Sequence, residues 1–211
     1  TTNKSLNKII DELIILFSKK EFNFLIEKAK EKIKEFPESF ELYNLIGITF
    51  AEIRNIKQSI KYYKKALIAN PKNFISDFYL GSLYHDNGDL LNALKHYKKS
   101  TNLNPKYSNA WFNLGVAYYE NNNPLEAINS YKKVINIEPN HANALYNLGY
   151  IYHELLNYDQ SVMYYKLAIQ INPGFYHSYP NLAKVFMDKG DYENSLKYYE
   201  LFLEKNPNDI K

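Results

Sequence analysis

Proline sets a ruler along this sequence: Pro37, Pro71, Pro105, Pro139, Pro173 and Pro207 are each separated by 34 residues. A fixed period of that length marks an array in which one supersecondary unit recurs. Proline suits the boundary between units, because it ends a helix and keeps its predecessor extended. Two other residue types keep the same step: glycine at Gly47, Gly81, Gly115 and Gly149, with Ala183 next, and tyrosine at Tyr63, Tyr97, Tyr131, Tyr165 and Tyr199. With proline as residue 32 of each, the units run 6–39, 40–73, 74–107, 108–141, 142–175 and 176–209, a single array over nearly all 211 residues.

Within a unit, apolar residues recur at helical spacing, as in Trp111, Leu114, Tyr118 and then Ile128, Tyr131, Ile135, so each unit is expected to hold two amphipathic helices. Asn55, Asp89, Asn123, Asn157 and Asp191 fall between the two, where their short side chains are expected to cap the second helix. Pro124 suits a first helical position, where its missing N–H costs nothing. Gly115 and Ala127 let the paired helices approach, and Tyr131 fills the space beside the crossing. Only seven glycines stand against 21 tyrosines, which predicts few sharp backbone turns and places the glycines inside helices. One hairpin cannot bury its apolar faces alone, so the units are expected to stack into an all-α solenoid with a concave and a convex side.

Unit four reads SNAWFNLGVAYYENNNPLEAINSYKKVINIEPNH and resembles the tetratricopeptide repeat at Trp111, Leu114, Gly115, Tyr118, Ala127, Tyr131 and Pro139. Unit five matches at Leu148, Gly149, Tyr152, Ala168 and Pro173. The resemblance implies a right-handed α-α superhelix of six helix-turn-helix repeats. Unit one departs from the pattern, with Glu12 where leucine is expected, Leu13 where glycine is and Lys32 where a small residue is, so irregular packing is expected there. After Pro207, only Asn208, Asp209, Ile210 and Lys211 follow, with no capping helix for Tyr199, Phe202 and Leu203. The expectation is a segment of a longer protein, or homo-oligomerisation through the terminal repeats.

The resemblance also implies which residues face a ligand, since the inner wall of such arrays is built by positions 2, 5, 6, 9, 12 and 13 of each unit. Position 6 carries Asn113, Asn147 and Asn181 in consecutive units, similar to the asparagine ladder in the superhelix of O-linked N-acetylglucosamine transferases, whose amides clasp an extended peptide backbone. An amide offers both donor and acceptor, which matches a peptide unit whatever its side chains. Tyr119 and His153 at position 12, and Tyr150 and Lys184 at position 9, are further candidate contacts. Position 13 is acidic in five units, at Glu52, Asp86, Glu120, Glu154 and Asp188. Lysine pairs gather instead on the second helices, at Lys64, Lys65, Lys98, Lys99, Lys132 and Lys133, where they are expected to look outward to solvent. An acidic groove edge favours a basic or polar peptide by complementarity.

Other function classes find little footing. Zero cysteines exclude a thiolate nucleophile and a zinc finger or iron–sulfur site of the cysteine type. The five histidines, His85, His96, His141, His153 and His177, lack metal-ligand spacing, so neither catalysis nor a metal or cofactor is expected. A net charge of +3 is too small to imply nucleic acid. No run approaches the roughly 20 apolar residues of a membrane span. The N-terminal TTNKSLNKIIDELIILF lacks a secretory cleavage site, which leaves a cytoplasmic location as the expectation. The expected function is a protein-interaction scaffold that binds a peptide or partner protein in its groove. The alternatives are a substrate-recruiting arm of a larger transferase and a self-assembling scaffold.

Overall fold

The computed structural model describes residues 2–206, and among them every regular element is an α-helix. The first helices of the units are α1 (Thr2–Ser18), α3 (Phe40–Glu52), α5 (Phe74–Asp86), α7 (Ser108–Glu120), α9 (Ala142–Glu154) and α11 (Ser178–Asp188). The second helices are α2 (Phe22–Glu35), α4 (Ile56–Ala69), α6 (Leu90–Leu103), α8 (Pro124–Ile137), α10 (Tyr158–Ile171) and α12 (Tyr192–Lys205). The helices fall into two compact units, one ending at Pro105 and one beginning at Lys106. Pro207, Asn208, Asp209, Ile210 and Lys211, on which the expectation of an uncovered end rests, lie outside the described residues. No helix among the described residues is long and apolar enough to cross a membrane.

In units two to five each hairpin is closed by a glycine set against a tyrosine. Tyr63, Tyr97, Tyr131 and Tyr165 are among the largest fully buried side chains. A Cβ added at Gly81 would lie 2.6 Å from the Tyr97 ring, at Gly115 2.8 Å from Tyr131, at Gly149 2.9 Å from Tyr165 and at Gly47 3.1 Å from Tyr63. The hydroxyls of Ser59 and Ser161, buried at the same crossing, donate to the carbonyls of Gly47 and Gly149 at 2.8 and 2.7 Å. Unit one reaches closure with the sizes exchanged: Leu13 stands where units two to five have glycine and Ala29 where they have tyrosine, and both are fully buried. Its other departures resolve as ion pairs, Glu12 with Lys28 at 2.9 Å and Lys32 with Glu35 at 2.7 Å. The Lys28 ammonium holds the Glu12 carboxyl below the usual carboxylate range, chiefly through that hydrogen bond.

The turns between paired helices correct the glycine expectation. Lys20, Arg54, Gly88, Asn122, Leu156 and Gly190, one at each hairpin, all take positive φ between 56° and 82°. The next N–H then donates back into the first helix, as Asn55 does to the Phe50 carbonyl at 2.8 Å and Asp191 to Phe186 at 2.8 Å, the bond that ends a helix on a left-handed residue. The sequence has few glycines yet a sharp turn in every hairpin, because the packed helices hold ordinary residues there against a cost of roughly 1–2 kcal/mol each. Gly88 and Gly190 therefore sit in turns rather than inside helices.

Asn55, Asp89, Asn157 and Asp191 cap their helices as expected, each side chain accepting the N–H three residues on. Asn123 does not: its φ is −116°, against −88° to −92° in the other four, and its amide donates to the Asn121 carbonyl at 3.0 Å. Pro124 is the cause, since a residue before proline is pushed toward φ near −120°. Helix α11 starts two residues later than its counterparts α3, α5, α7 and α9, again because of a proline. From Ser178 onward Pro180 is the third residue of α11 and needs no N–H partner, whereas an earlier start would have broken a helical bond.

Within each compact unit, successive repeats are clipped together by lysine–ring contacts, two of them made by lysines that the sequence reading placed in solvent. Lys30 lies over the Phe50 ring at 5.9 Å, Lys64 over Tyr84 at 5.9 Å, Lys132 over Tyr152 at 5.7 Å and Lys166 over Phe186 at 5.4 Å. Each of those rings stacks on the second helix of its own unit, Phe50 on Tyr62, Tyr84 on His96, Tyr152 on Tyr164 and Phe186 on Tyr198. Lys64 and Lys132 are thus anchored across unit boundaries, and Lys65 lies over Tyr43 and Tyr62 of its own unit, instead of standing free on an outward face.

Asp77 is the one fully buried carboxylate among the described residues, at a position where units two, four and six have Tyr43, Trp111 and Tyr179. His96 Nδ1 is 2.9 Å from its Oδ1. Lys99 Nζ lies 2.9 Å from Oδ2 but off the angle of a hydrogen bond, so that oxygen is held by charge alone.

Gly81→Ala is expected to cost about 1–2 kcal/mol in urea unfolding, overpacking against Tyr97 outweighing the roughly 1 kcal/mol that alanine adds to a helix. Gly47→Ala is expected within about 0.5 kcal/mol of the parent, where the two effects offset; equal losses at both sites would show that the Tyr97 ring yields freely. Asp77→Leu is expected to leave stability unchanged or raise it by about 1 kcal/mol, while Lys99→Met, which strands the buried carboxylate, lowers it by about 1 kcal/mol or more. Urea midpoints that rank these two variants the other way would contradict the assignment of Lys99 as counter-charge.

Candidate functional site

All ten candidate contact residues lie in the compact unit that begins at Lys106, on α7, α9 and α11. The structure brings four of them to one place. Tyr119 and Glu120 from α7, and Asn147 and Tyr150 from α9, line a cavity of about 330 Å³ together with Val116, Tyr131, Tyr146 and Ile151. Helical spacing explains the gathering, since Asn147, Tyr150 and Ile151 fall on one face of α9 and Val116, Tyr119 and Glu120 on one face of α7.

The rings of Tyr119 and Tyr150 meet edge to face, 5.7 Å apart at 82°. Burial pushes the Tyr119 hydroxyl well above the ordinary tyrosine range, helped by its hydrogen bond to Tyr150 and by the charge of Glu154 nearby. Burial likewise raises Tyr131; a hydrogen bond from the Asn147 amide pulls it back and the Glu120 carboxylate pushes it up again. The cavity therefore has aromatic walls with carboxylate charge close by.

The asparagines are engaged with tyrosines. Asn147 donates to Tyr131, and Asn181 Nδ2 donates to the Tyr146 hydroxyl at 2.7 Å. Where no amide meets the packing tyrosine its hydroxyl stays orphaned, as for Tyr63, which stacks on Tyr79 at 5.3 Å, and for Tyr165, whose counterpart amide Asn181 turns to Tyr146. A carboxamide has two N–H groups and a carbonyl, so one bond to tyrosine leaves further groups of Asn147 and Asn181 for a ligand. Asn113 is half-buried on α7.

His153 and Asp188 are held by each other, Nε2 to Oδ2 at 2.8 Å, a bridge from α9 to α11. Glu154 and Lys184 are exposed on those same helices. Sequence reasoning passed over Tyr131 as packing and did not single out Tyr146, although Tyr146 stands at position 5, one of the inner-wall positions. Among the described residues no group of three or more His, Cys, Asp or Glu side chains could hold a metal ion.

A fold made of 34-residue helical hairpins, four of them closed by glycine against tyrosine, defines a helical-repeat protein. Family models described as TPR repeat match residues 81–122 and 125–155, and models described as tetratricopeptide repeat match 40–73, 142–175 and 176–209. The chain belongs to the tetratricopeptide repeat family, with an all-α repeat superhelix as its fold class. Among solved structures it is similar to MamA at 29% identity and a TM-score of 0.77, over 81% of this chain and 93% of that one. PilF of Pseudomonas aeruginosa matches at 15% identity and a TM-score of 0.80, over 99% of this chain and 95% of that one. YrrB, described as a TPR protein with an unusual peptide-binding site, matches at 15% identity and a TM-score of 0.78, over 86% and 94%. A search of curated proteins gives no match.

Asn147→Ala is expected to lower stability by about 1–2 kcal/mol, because it orphans the buried Tyr131 hydroxyl. Adding Tyr131→Phe is expected to restore most of that loss, a coupling that a double-mutant cycle measures directly. Additive losses would show that the amide does not support the ring.

Proposed function

We propose that this chain is a protein-interaction module that binds an extended peptide along the first helices of the unit beginning at Lys106. The observation that supports the reading most is the cavity that gathers Tyr119, Glu120, Asn147 and Tyr150 between α7 and α9. Tyrosine gives large contact area for little loss of side-chain entropy, and amides with spare donors and acceptors can pair with a peptide backbone irrespective of its sequence. Glu120, Glu154 and Asp188 tilt the preference toward a basic or polar peptide and away from an acidic one. YrrB carries a peptide-binding site on the same fold, which is in keeping with this reading.

A second reading, self-association, draws on α12, where Tyr192, Leu196 and Leu203 are exposed. Sedimentation velocity separates the two, since self-association through α12 makes the sedimentation coefficient rise with concentration and Leu196→Glu suppresses the rise.

The peptide reading is tested by panning the immobilised chain against a random decapeptide library beside the Asn113→Ala, Asn147→Ala, Asn181→Ala variant, with equal helicity checked by circular dichroism. The expected result is a set of retained peptides, poor in Asp and Glu, whose retention falls at least about tenfold on the variant, about 1.4 kcal/mol. Equal retention on both proteins would remove the asparagines from the site.

A further inference from the structure

We propose that the cavity between α7 and α9 is a specificity pocket for one cationic side chain of the bound peptide, arginine by preference, held against the aromatic wall of Tyr119 and Tyr150 beside the Glu120 and Glu154 carboxylates. This rests on the peptide reading given above and adds to it what the groove selects.

Size is the first argument. At about 330 Å³ the cavity stands at the low end of ligand sites, with room for one long side chain. Its chemistry is the second. Four of its eight lining residues are tyrosines, one is glutamate, one asparagine, and none is lysine or arginine. The face of an aromatic ring attracts a cation, and the attraction grows when the site is desolvated. The same chain uses this contact internally in Lys132 over Tyr152 and Lys166 over Phe186.

Charge is the third argument. The Glu120 carboxylate acts on Tyr131, and the Glu154 carboxylate acts on both Tyr119 and Tyr165, so negative potential reaches the cavity from both helices that form it. An acidic occupant meets repulsion there. An aliphatic occupant gains ring contact but carries no donor for the Asn147 carbonyl or the Glu120 carboxylate. A guanidinium satisfies every wall at once, because it is planar enough to lie against a ring and presents a fork of donors to a carboxylate. Lysine fits the charge but not the plane.

The test uses the whole chain and peptide pools with randomised flanks around one fixed central residue: arginine, citrulline, leucine or glutamate. Citrulline keeps the shape of arginine and removes its charge. The arginine pool is expected to be retained at least tenfold over citrulline and glutamate. Glu120→Gln with Glu154→Gln, both on exposed residues, is expected to reduce that preference to about threefold or less with unchanged helicity, and Tyr119→Leu with Tyr150→Leu to abolish it while general retention persists. Equal retention of arginine, citrulline and leucine, with loss of all pools on the triple asparagine variant, would overturn the cation pocket and leave the peptide groove standing. Retention of no pool would overturn both.

Discussion

The contact between a glycine of the first helix and a tyrosine of the second decides how close the paired helices come, and the remaining features are arranged around that distance. With no Cβ at Gly47, Gly81, Gly115 or Gly149, a whole aromatic ring is driven into the crossing and fully buried. Its hydroxyl then has to emerge somewhere polar. For Tyr131 the exit is Asn147 on the next unit, which makes that asparagine part of the scaffold as well as part of the inner wall. Unit one meets the same demand with Leu13 against Ala29, so what the fold requires is the summed volume across the crossing and not a fixed residue on either side.

Periodicity made most of this legible from residues alone. The 34-residue step, the paired helices, four of the five caps and the closing tyrosines all follow from residue type repeated at a fixed interval. What escaped depends on geometry that residue type does not encode. Left-handed turns at Lys20, Arg54 and Leu156 use residues that avoid such a conformation in isolation, and only the packed hairpin imposes it. The failed cap at Asn123 required combining two local rules at adjacent residues, where proline's steric demand overrode the amide's preference. The lysine contacts were visible in principle as a lysine recurring 20 residues before an aromatic, at Lys30 and Phe50, Lys64 and Tyr84, Lys132 and Tyr152, Lys166 and Phe186.

For the candidate site, the residues named from the sequence fall on α7, α9 and α11, and the cavity lies between the first two of those helices. Four of its ten residues line the cavity, while His153 and Asp188 answer one another and Asn181 supports Tyr146. Side chains assigned to a ligand by position alone are thus divided between holding the wall and facing outward. The tyrosines show why the division is hard to foresee: with 21 in the chain, abundance hides the few whose faces border open space.

The lysine clips have a mechanical meaning. Each joins one hairpin to its successor, beside the buried apolar contacts that the same two hairpins share, so load within each compact unit is handed from neighbour to neighbour. Such an array gives way link by link. Unit four carries Ser130 where four of the other units stack a ring, and the Ser130 hydroxyl turns back to the Glu126 carbonyl of its own helix. That face of α8 therefore offers a short hydroxyl where its counterparts offer a ring, in the hairpin whose first helix supplies Val116, Tyr119 and Glu120 to the cavity.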